Sequence, residues 1–357
     1  MNKAMLSEIL EKFGIPPSRI EYFSPLGHGL IHGTYKVNLK DTSSLVLQEY
    51  NRQVFPFPDR IQHNLMMLSE EEVGVKLPFV LPLPLISKNG YTLELFGERL
   101  YRLFPFVSGK TLEQISHPFQ ANLAARAFGM LSKACINLDA KNFLETIPNF
   151  HRLDLRFEKL RSVLAHKQAL TPEETALRDF YLSQKPLIDW YLDQIQHLPL
   201  RVTHNDTKIN NLIFSENLEK VNALIDLDTV MGGYLMYDFG DLVRTVACSL
   251  PETSTEWASL KLIPDIFEKL LRGYWESIHS FSTPKESKSI LLGGEVMTLI
   301  MGLRFFTDHL QGNIYYRVSY PEQNFHRAKN QMLFLQSQQS LRPQLQEIWK
   351  KITGIPD

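Results

Sequence analysis

Between residues 20 and 107, apolar and polar positions alternate in short runs: IEYFSPL, GTYKVNL, SSLVLQEYN, then YTLEL and RLYRLFPFV. Each run is rich in β-branched or aromatic residues and bounded by Gly, Asn, Asp or Pro, which predicts strands and turns. One helix, near Pro58 to Val73, interrupts them. From about Leu112 the period lengthens. FQANLAARAFGMLSKACINL repeats apolar residues at spacings of three and four, the mark of an amphipathic helix, and further helical stretches are expected near 172–197, 253–280 and 285–310. The opening segment, MNKAMLSEILEKFGI, carries charges throughout and reads as another amphipathic helix rather than a signal peptide. A single strand-rich island, from Leu200 to about Val230, sits among the helices. The expected fold class is therefore α+β. A small β-rich N-terminal lobe spans 1–107, a larger and mostly helical lobe spans 108–357, and Ser108 and Gly109 connect them.

Composition narrows the function classes. The chain has 357 residues, 44% hydrophobic and 22% charged, enough for substantial cores. A net charge of −1 leaves no basic footprint for nucleic acid. The most apolar window, LPFVLPLPLI, is broken by Pro78, Pro82 and Pro84, so no membrane span is expected. Cys135 and Cys248 match no zinc spacing and read as small buried thiols, in keeping with a cytoplasmic protein. Oligomeric state is not legible.

The island carries the chemistry. VTHNDTKINNLIF crowds His204, Asn205, Asp206, Lys208, Asn210 and Asn211 against an apolar run, and ALIDLDTVMGGYLMYDFGDL follows with Asp226, Asp228, Asp238 and Asp241. Acids at the end of a buried strand are costly unless a cation or donors compensate them. Asp206, Asn211 and Asp226 offer the hard oxygens that Mg²⁺ prefers, together with substrate phosphates. Phosphoryl transfer uses such a set: one Asp orients the attacking hydroxyl and takes its proton, while an Asn and another Asp hold the metal. The plainer alternative is a polar turn with helix-capping acids.

The spacing His-x-Asp-x-x-x-x-Asn followed by Ile-Asp resembles the superfamily of aminoglycoside phosphotransferases and choline kinases, whose bilobal fold is protein-kinase-like. The RVTHNDTKINN, IDLDT and YDFGD runs, the VLQ-x-x-N strand, NFH-x-x-x-x-RFE and GLRFFTDHLQGNIYY are most similar to its N-acetylhexosamine 1-kinase branch. The resemblance implies Asp206 as catalytic base, Lys208 reaching the transferring phosphate, Asn211 and Asp226 as Mg²⁺ ligands, and Asp238 and His204 as supports of the loop. It also implies ATP as the phosphate donor. In LGHGLIHGTY, Gly27, His28, Gly29, Gly33 and Thr34 would cover the nucleotide phosphates, since glycines allow close backbone approach. Phe104 and Phe106 would line the adenine site. Gln48 stands where most of the superfamily has a third-strand lysine, which leaves open a degenerate kinase that binds nucleotide without reacting. On the acceptor side the resemblance points to Asp206, Asp226, Thr229, Arg304 and Asp308. Arg304 and Asp308, four apart on one helix face, could equally be an ion pair. Tyr315, Tyr316 or Phe239 would wall an N-acetyl group. The expected function is transfer of the γ-phosphate of Mg·ATP to a small-molecule sugar, at the anomeric hydroxyl of an N-acetylhexosamine. The alternatives are the same chemistry on an amino alcohol, homoserine or an aminoglycoside, and a nucleotide-binding pseudokinase.

Overall fold

The computed structural model describes residues 1–26 and 32–356 and divides into two compact units. The first comprises Met1–Lys110, Phe143–Ile147 and Ile213–Val230; the second comprises Thr111–Asn142, Pro148–Leu212 and Met231–Asp357.

In the first unit, β1 (Ile20–Pro25), β2 (Gly33–Leu39), β3 (Ser44–Tyr50), β4 (Glu94–Phe96) and β5 (Arg99–Pro105) form one antiparallel sheet in the order β1-β2-β3-β5-β4. The helix α1 (Lys3–Lys12) starts at Asn2, whose side chain accepts the Met5 N–H at 2.9 Å. This satisfies one of the donors a helix start leaves open. Its residues Leu6, Ile9 and Leu10 lie on one face and are fully buried with Val37, Leu47, Tyr101 and Leu103. Each such aliphatic side chain contributes about 1.5–3 kcal/mol relative to exposure.

The expected boundary at 107/108 omits two later segments that join this unit. Asn64, on α2 (Pro58–Glu70), donates to the Leu144 and Val230 carbonyls at 2.8 and 2.9 Å and accepts the Leu144 N–H at 2.8 Å. The ribbon formed by Leu212–Phe214 and Val221–Leu224 is held by main-chain bonds. Val80 donates to Asn222 at 2.8 Å and accepts from Leu224 at 3.1 Å, and Lys110 and Phe214 exchange both of theirs. Sequence pattern assigns the ribbon to the helical stretch around it, whereas these backbone bonds assign it to the sheet-bearing unit.

The second unit contains α3 (Pro118–Ala134), α4 (Leu153–His166), α5 (Pro172–Ser183), α6 (Lys185–Ile195), α7 (Leu235–Val246), α8 (Pro264–Ile278), α9 (Pro284–Ile290), α10 (Gly293–Leu310) and α11 (Gln323–Thr353). A two-stranded pair, Arg201–Thr203 with Met231–Gly233, precedes α7. The stretch expected as one helix over 172–197 breaks at Gln184, because Pro186 can occupy a first turn but not a helix interior. The helices α4, α7 and α11 lie outside the expected set. Leu153, Phe157, Tyr181, Tyr191, Met236, Ile300, Phe306 and Leu335 share one buried core that draws on most of these helices. A methyl on Gly240 of α7 would sit 2.1 Å from the Gly293 carbonyl oxygen of α10, so these two backbones touch without intervening side chains. Among the described residues, no single helix is long and apolar enough to cross a membrane.

Candidate active site

In the second unit, the chain leaves Thr203 and turns sharply at Asn205, whose φ of 64° is left-handed. Such a conformation persists only where the surroundings enforce it. Asp238 does so. Fully buried near the start of α7, its carboxylate accepts the His204 N–H at 3.0 Å and the Asn205 N–H at 2.8 Å, while its carbonyl accepts the Thr207 hydroxyl at 2.6 Å. Burial pushes the Asp238 carboxyl up to about 6, even with these donors and His204 favouring its charge. The His204 ring is also fully buried and accepts the Asp206 N–H at its Nδ1, 3.3 Å away.

Asp206 is thereby presented next to Lys208, whose Nζ lies 3.0 Å from its Oδ1. Burial raises the Asp206 carboxyl, but the Lys208 charge and hydrogen bond outweigh it and hold the group below the usual carboxylate range. The Asn211 Nδ2 donates to the Asp206 carbonyl at 2.8 Å and to its Oδ2 at 3.3 Å. Those bonds engage the donor side of the amide and orient its oxygen, which is an acceptor. The structure therefore brings Asp206, Lys208, Asn211, His204 and Asp238 together.

In the first unit, Asp226 follows the Val221–Leu224 strand in the left-handed region, with φ 59° and ψ 56°, and opens a single turn, Leu227–Thr229. Thr229 is buried there. Asp226 offers a carboxylate, the donor type that Mg²⁺ prefers. Among the described residues no three His, Cys, Asp or Glu gather into a metal site of their own. On the sheet, Gln48 faces Thr34 across β2 and Arg102 across β5, and its Oε1 accepts the Arg102 Nε–H at 2.8 Å. Phe104 lies 5.1 Å from the same guanidinium, and Phe106 is capped by Lys36 at 3.9 Å. Gly33 opens β2; Gly27, His28 and Gly29 lie outside the described residues.

A further cluster in the second unit was only partly anticipated. The Arg304 guanidinium lies 5.1 Å from the Phe150 ring, 5.5 Å from Tyr315 and 5.3 Å from Tyr316. It does not pair with Asp308. That carboxylate instead accepts the Tyr315 and Tyr316 N–H groups at 2.8 and 2.9 Å and the Asn324 amide at 2.9 Å, fixing the segment that carries both rings. Arg156 donates to the Asn149 and Phe150 carbonyls. Burial and the Arg304 charge both hold it below its ordinary value. Among the described residues neither arginine makes an ion pair with an acid. His151 is buried and donates from Nε2 to the Asn205 carbonyl at 2.8 Å, so its Nδ1 is an acceptor, with no partner among the described residues. Burial takes the His151 ring down to about 3, so it is neutral. Phe239, expected as a wall, packs instead in the core against Phe267 and Tyr274. Sequence reading missed Arg156 and His151; their place in NFH-x-x-x-x-RFE, directly flanking a helix start, was the available signal.

An antiparallel sheet unit, a helical unit and an Asp–Asn loop braced by a buried Asp define a small-molecule phosphotransferase of kinase-like fold. Residues 23–269 match the model of the phosphotransferase enzyme family, and the chain belongs to that family, whose members transfer phosphate to hydroxyl acceptors. Solved structures with the same fold include an aminoglycoside phosphotransferase from Alicyclobacillus acidocaldarius, with TM-score 0.67, 12% identity, and 96% of this chain and 95% of that one covered. A choline kinase from Cryptosporidium parvum gives TM-score 0.59 at 14% identity, covering 96% and 97%. A spectinomycin phosphotransferase in complex with ADP and spectinomycin gives TM-score 0.57 at 12% identity, covering 96% and 98%.

Proposed function

We propose that the protein is a Mg·ATP-dependent sugar kinase that phosphorylates the anomeric hydroxyl of an N-acetylhexosamine, giving a sugar 1-phosphate. The observation that carries this reading is the cluster of Arg304, Arg156 and His151. Two guanidiniums that pair with no acid among the described residues repel an aminoglycoside or choline, because a cation held there would meet like charge in a partly desolvated setting. A sugar hydroxyl suits all three groups: its oxygen accepts from an arginine while its proton goes to the His151 Nδ1. The rings of Phe150, Tyr315 and Tyr316 supply apolar faces for the ring carbons and for the N-acetyl methyl.

In this reading Asp206 accepts the proton of the attacking hydroxyl. Its depressed carboxyl keeps it ionised, and an anomeric hydroxyl, more acidic than the others of the ring, asks less of so weak a base. Asn211 and Asp226 hold Mg²⁺, which when bound neutralises the phosphates and the charge developing on them. Lys208 turns from Asp206 toward the transferring phosphate, Thr229 meets the acceptor, and the sheet residues Gly33, Thr34, Phe104 and Phe106 face the nucleotide. The test is ³¹P and ¹H NMR of products from N-acetylglucosamine, N-acetylgalactosamine, their unacetylated parents, choline and an aminoglycoside. Phosphate on C1 of the acetylated sugars is the expected result. Phosphate on C6, or turnover of the cations alone, overturns it.

A further inference from the structure

Four side chains far apart in sequence meet in the first unit. Arg102 is 3% exposed, and its Nη1 and Nη2 each donate to one oxygen of Asp228 at 2.6 Å. Its Nε goes to Gln48 at 2.8 Å, and Tyr50 and Phe104 flank the guanidinium at 5.3 and 5.1 Å. Asp228 is itself 2% exposed and takes a third bond from His32 Nε2 at 3.1 Å. The His32 tautomer follows from its other nitrogen: Nδ1 accepts the Asn51 N–H at 3.0 Å, so the proton sits on Nε2. Tyr50 and Phe55 stack on that ring at 5.5 and 5.8 Å.

A buried ion pair of this kind rarely adds net stability over an apolar pair of similar size, although breaking it from one side is costly. What it does supply is geometry, since a two-pronged guanidinium–carboxylate contact fixes both distance and plane. The carboxylate it fixes stands two residues beyond Asp226, in the same turn, and Asp226 itself holds a left-handed backbone that its surroundings must enforce.

We propose that Arg102 is a positioning residue for the metal carboxylate: through Asp228 it sets where Asp226 points, while Gln48 and His32 set Arg102. Gln48 on β3 is thus not a phosphate-binding cation that has been lost but the acceptor that orients a cation supplied by the neighbouring strand. This rests on the reading of Asp226 as the metal ligand.

Three variants test it, read by the Mg²⁺ concentration for half-maximal rate, by KM for ATP and for the acceptor, and by thermal unfolding. Arg102→Lys retains the charge but loses the two-pronged contact. It is expected to raise the half-saturating Mg²⁺ by about tenfold or more, the usual scale for removing a hydrogen-bond partner that orients a metal ligand, while leaving acceptor KM unchanged. Arg102→Met combined with Asp228→Leu removes both buried charges together, so no unpaired buried charge is left, and the same shift in Mg²⁺ requirement is expected. Unchanged Mg²⁺ and ATP dependence in both, with only a lower melting temperature, overturns the proposal and leaves Arg102 a structural residue. Asp226→Ala separates the two readings. If it abolishes turnover and Mg²⁺-dependent nucleotide binding while the Arg102 variants behave as wild type, only the positioning role fails; if it leaves Mg²⁺ dependence unchanged, both fail.

Discussion

The turns bearing Asp206 and Asp226 meet a similar requirement by opposite means. Each places an aspartate at or next to a non-glycine residue in the left-handed region. Around Asp206 the strained turn is fixed through the main chain: the buried Asp238 takes two successive N–H groups, and Lys208 touches the Asp206 carboxylate itself. Around Asp226 the turn is fixed through side chains, by Asp228 clamped between Arg102 and His32. In the role proposed for Asp206, taking up a proton, a mount that leaves its own oxygens accessible and a counter-charge it can exchange are an advantage. In the role proposed for Asp226, holding a cation, direction matters more than exchange, and a desolvated ion pair supplies it. The contrast follows from the dielectric, because Lys208 is half-exposed and screened whereas Arg102 is enclosed.

The largest expected effect comes from removing the exchangeable proton acceptor. Asp206→Asn should keep the fold and nucleotide binding and lower turnover by roughly 10²–10⁴-fold, measured by steady-state kinetics beside nucleotide titration; a variant retaining more than about a tenth of wild-type kcat shows that another group is the base. Next comes the main-chain mount. Asp238→Ala orphans the His204 and Asn205 amides at a cost of about 1–3 kcal/mol each, so unfolding should shift to markedly lower denaturant. Asp238→Asn, which keeps one acceptor oxygen, should lose roughly half as much. Equal loss in the two variants would mean that the carboxylate's charge, not its hydrogen bonding, holds the turn.

The smallest effect concerns the exchangeable cation. Lys208 lowers the Asp206 carboxyl, so Lys208→Met should raise it and move the acid limb of kcat/KM to higher pH. Asp206 also contributes stability above the pKa it has in the unfolded chain, lost as pH falls through its lower folded value, and this contribution should shrink in the same variant. A pH profile that falls uniformly without moving would place Lys208's influence on the phosphate alone.

The sequence made the first of these turns legible and left the second mostly hidden. Polar residues crowded ahead of Leu212, Ile213 and Phe214 have few explanations, and all members of the Asp206 turn except Asp238 lie within eight residues. The clamp draws on residues 32, 48, 102 and 228. Arg102 in LYRLF reads as the outward-facing member of an alternating strand, and only the register opposite Gln48 reveals that this face is covered. The same limits apply to the fold. Strand β2 was expected over the very residues it occupies because its alternation and flanking turns agree. By contrast α11 lies outside the expected set: its sequence is Gln-rich, Pro343 falls inside it, and its buried stripe, which includes Ala328, Leu335, Leu345 and Trp349 at helical spacing, carries Asn324, Gln331 and Gln338 where apolar residues would have marked it. Asp308 lies on the expected helix, but the alternative of an ion pair with Arg304 fails, since spacing along a helix says nothing of a later segment folding back onto it.

The ribbon of residues 213–230 carries a consequence for fragment exchange and gene fusion. The chain alternates between the two units as six successive segments, so no single crossover point separates them. A chimera joined near residue 110 would leave Lys110, Val80 and Asn64 of one parent to bond a foreign Phe214, Asn222 and Val230. It would also divorce Arg102 from its own Asp228. Exchanging the sheet-bearing unit between relatives therefore means transplanting three pieces at once, with Asp226 travelling among the sheet residues and Asp206 staying behind.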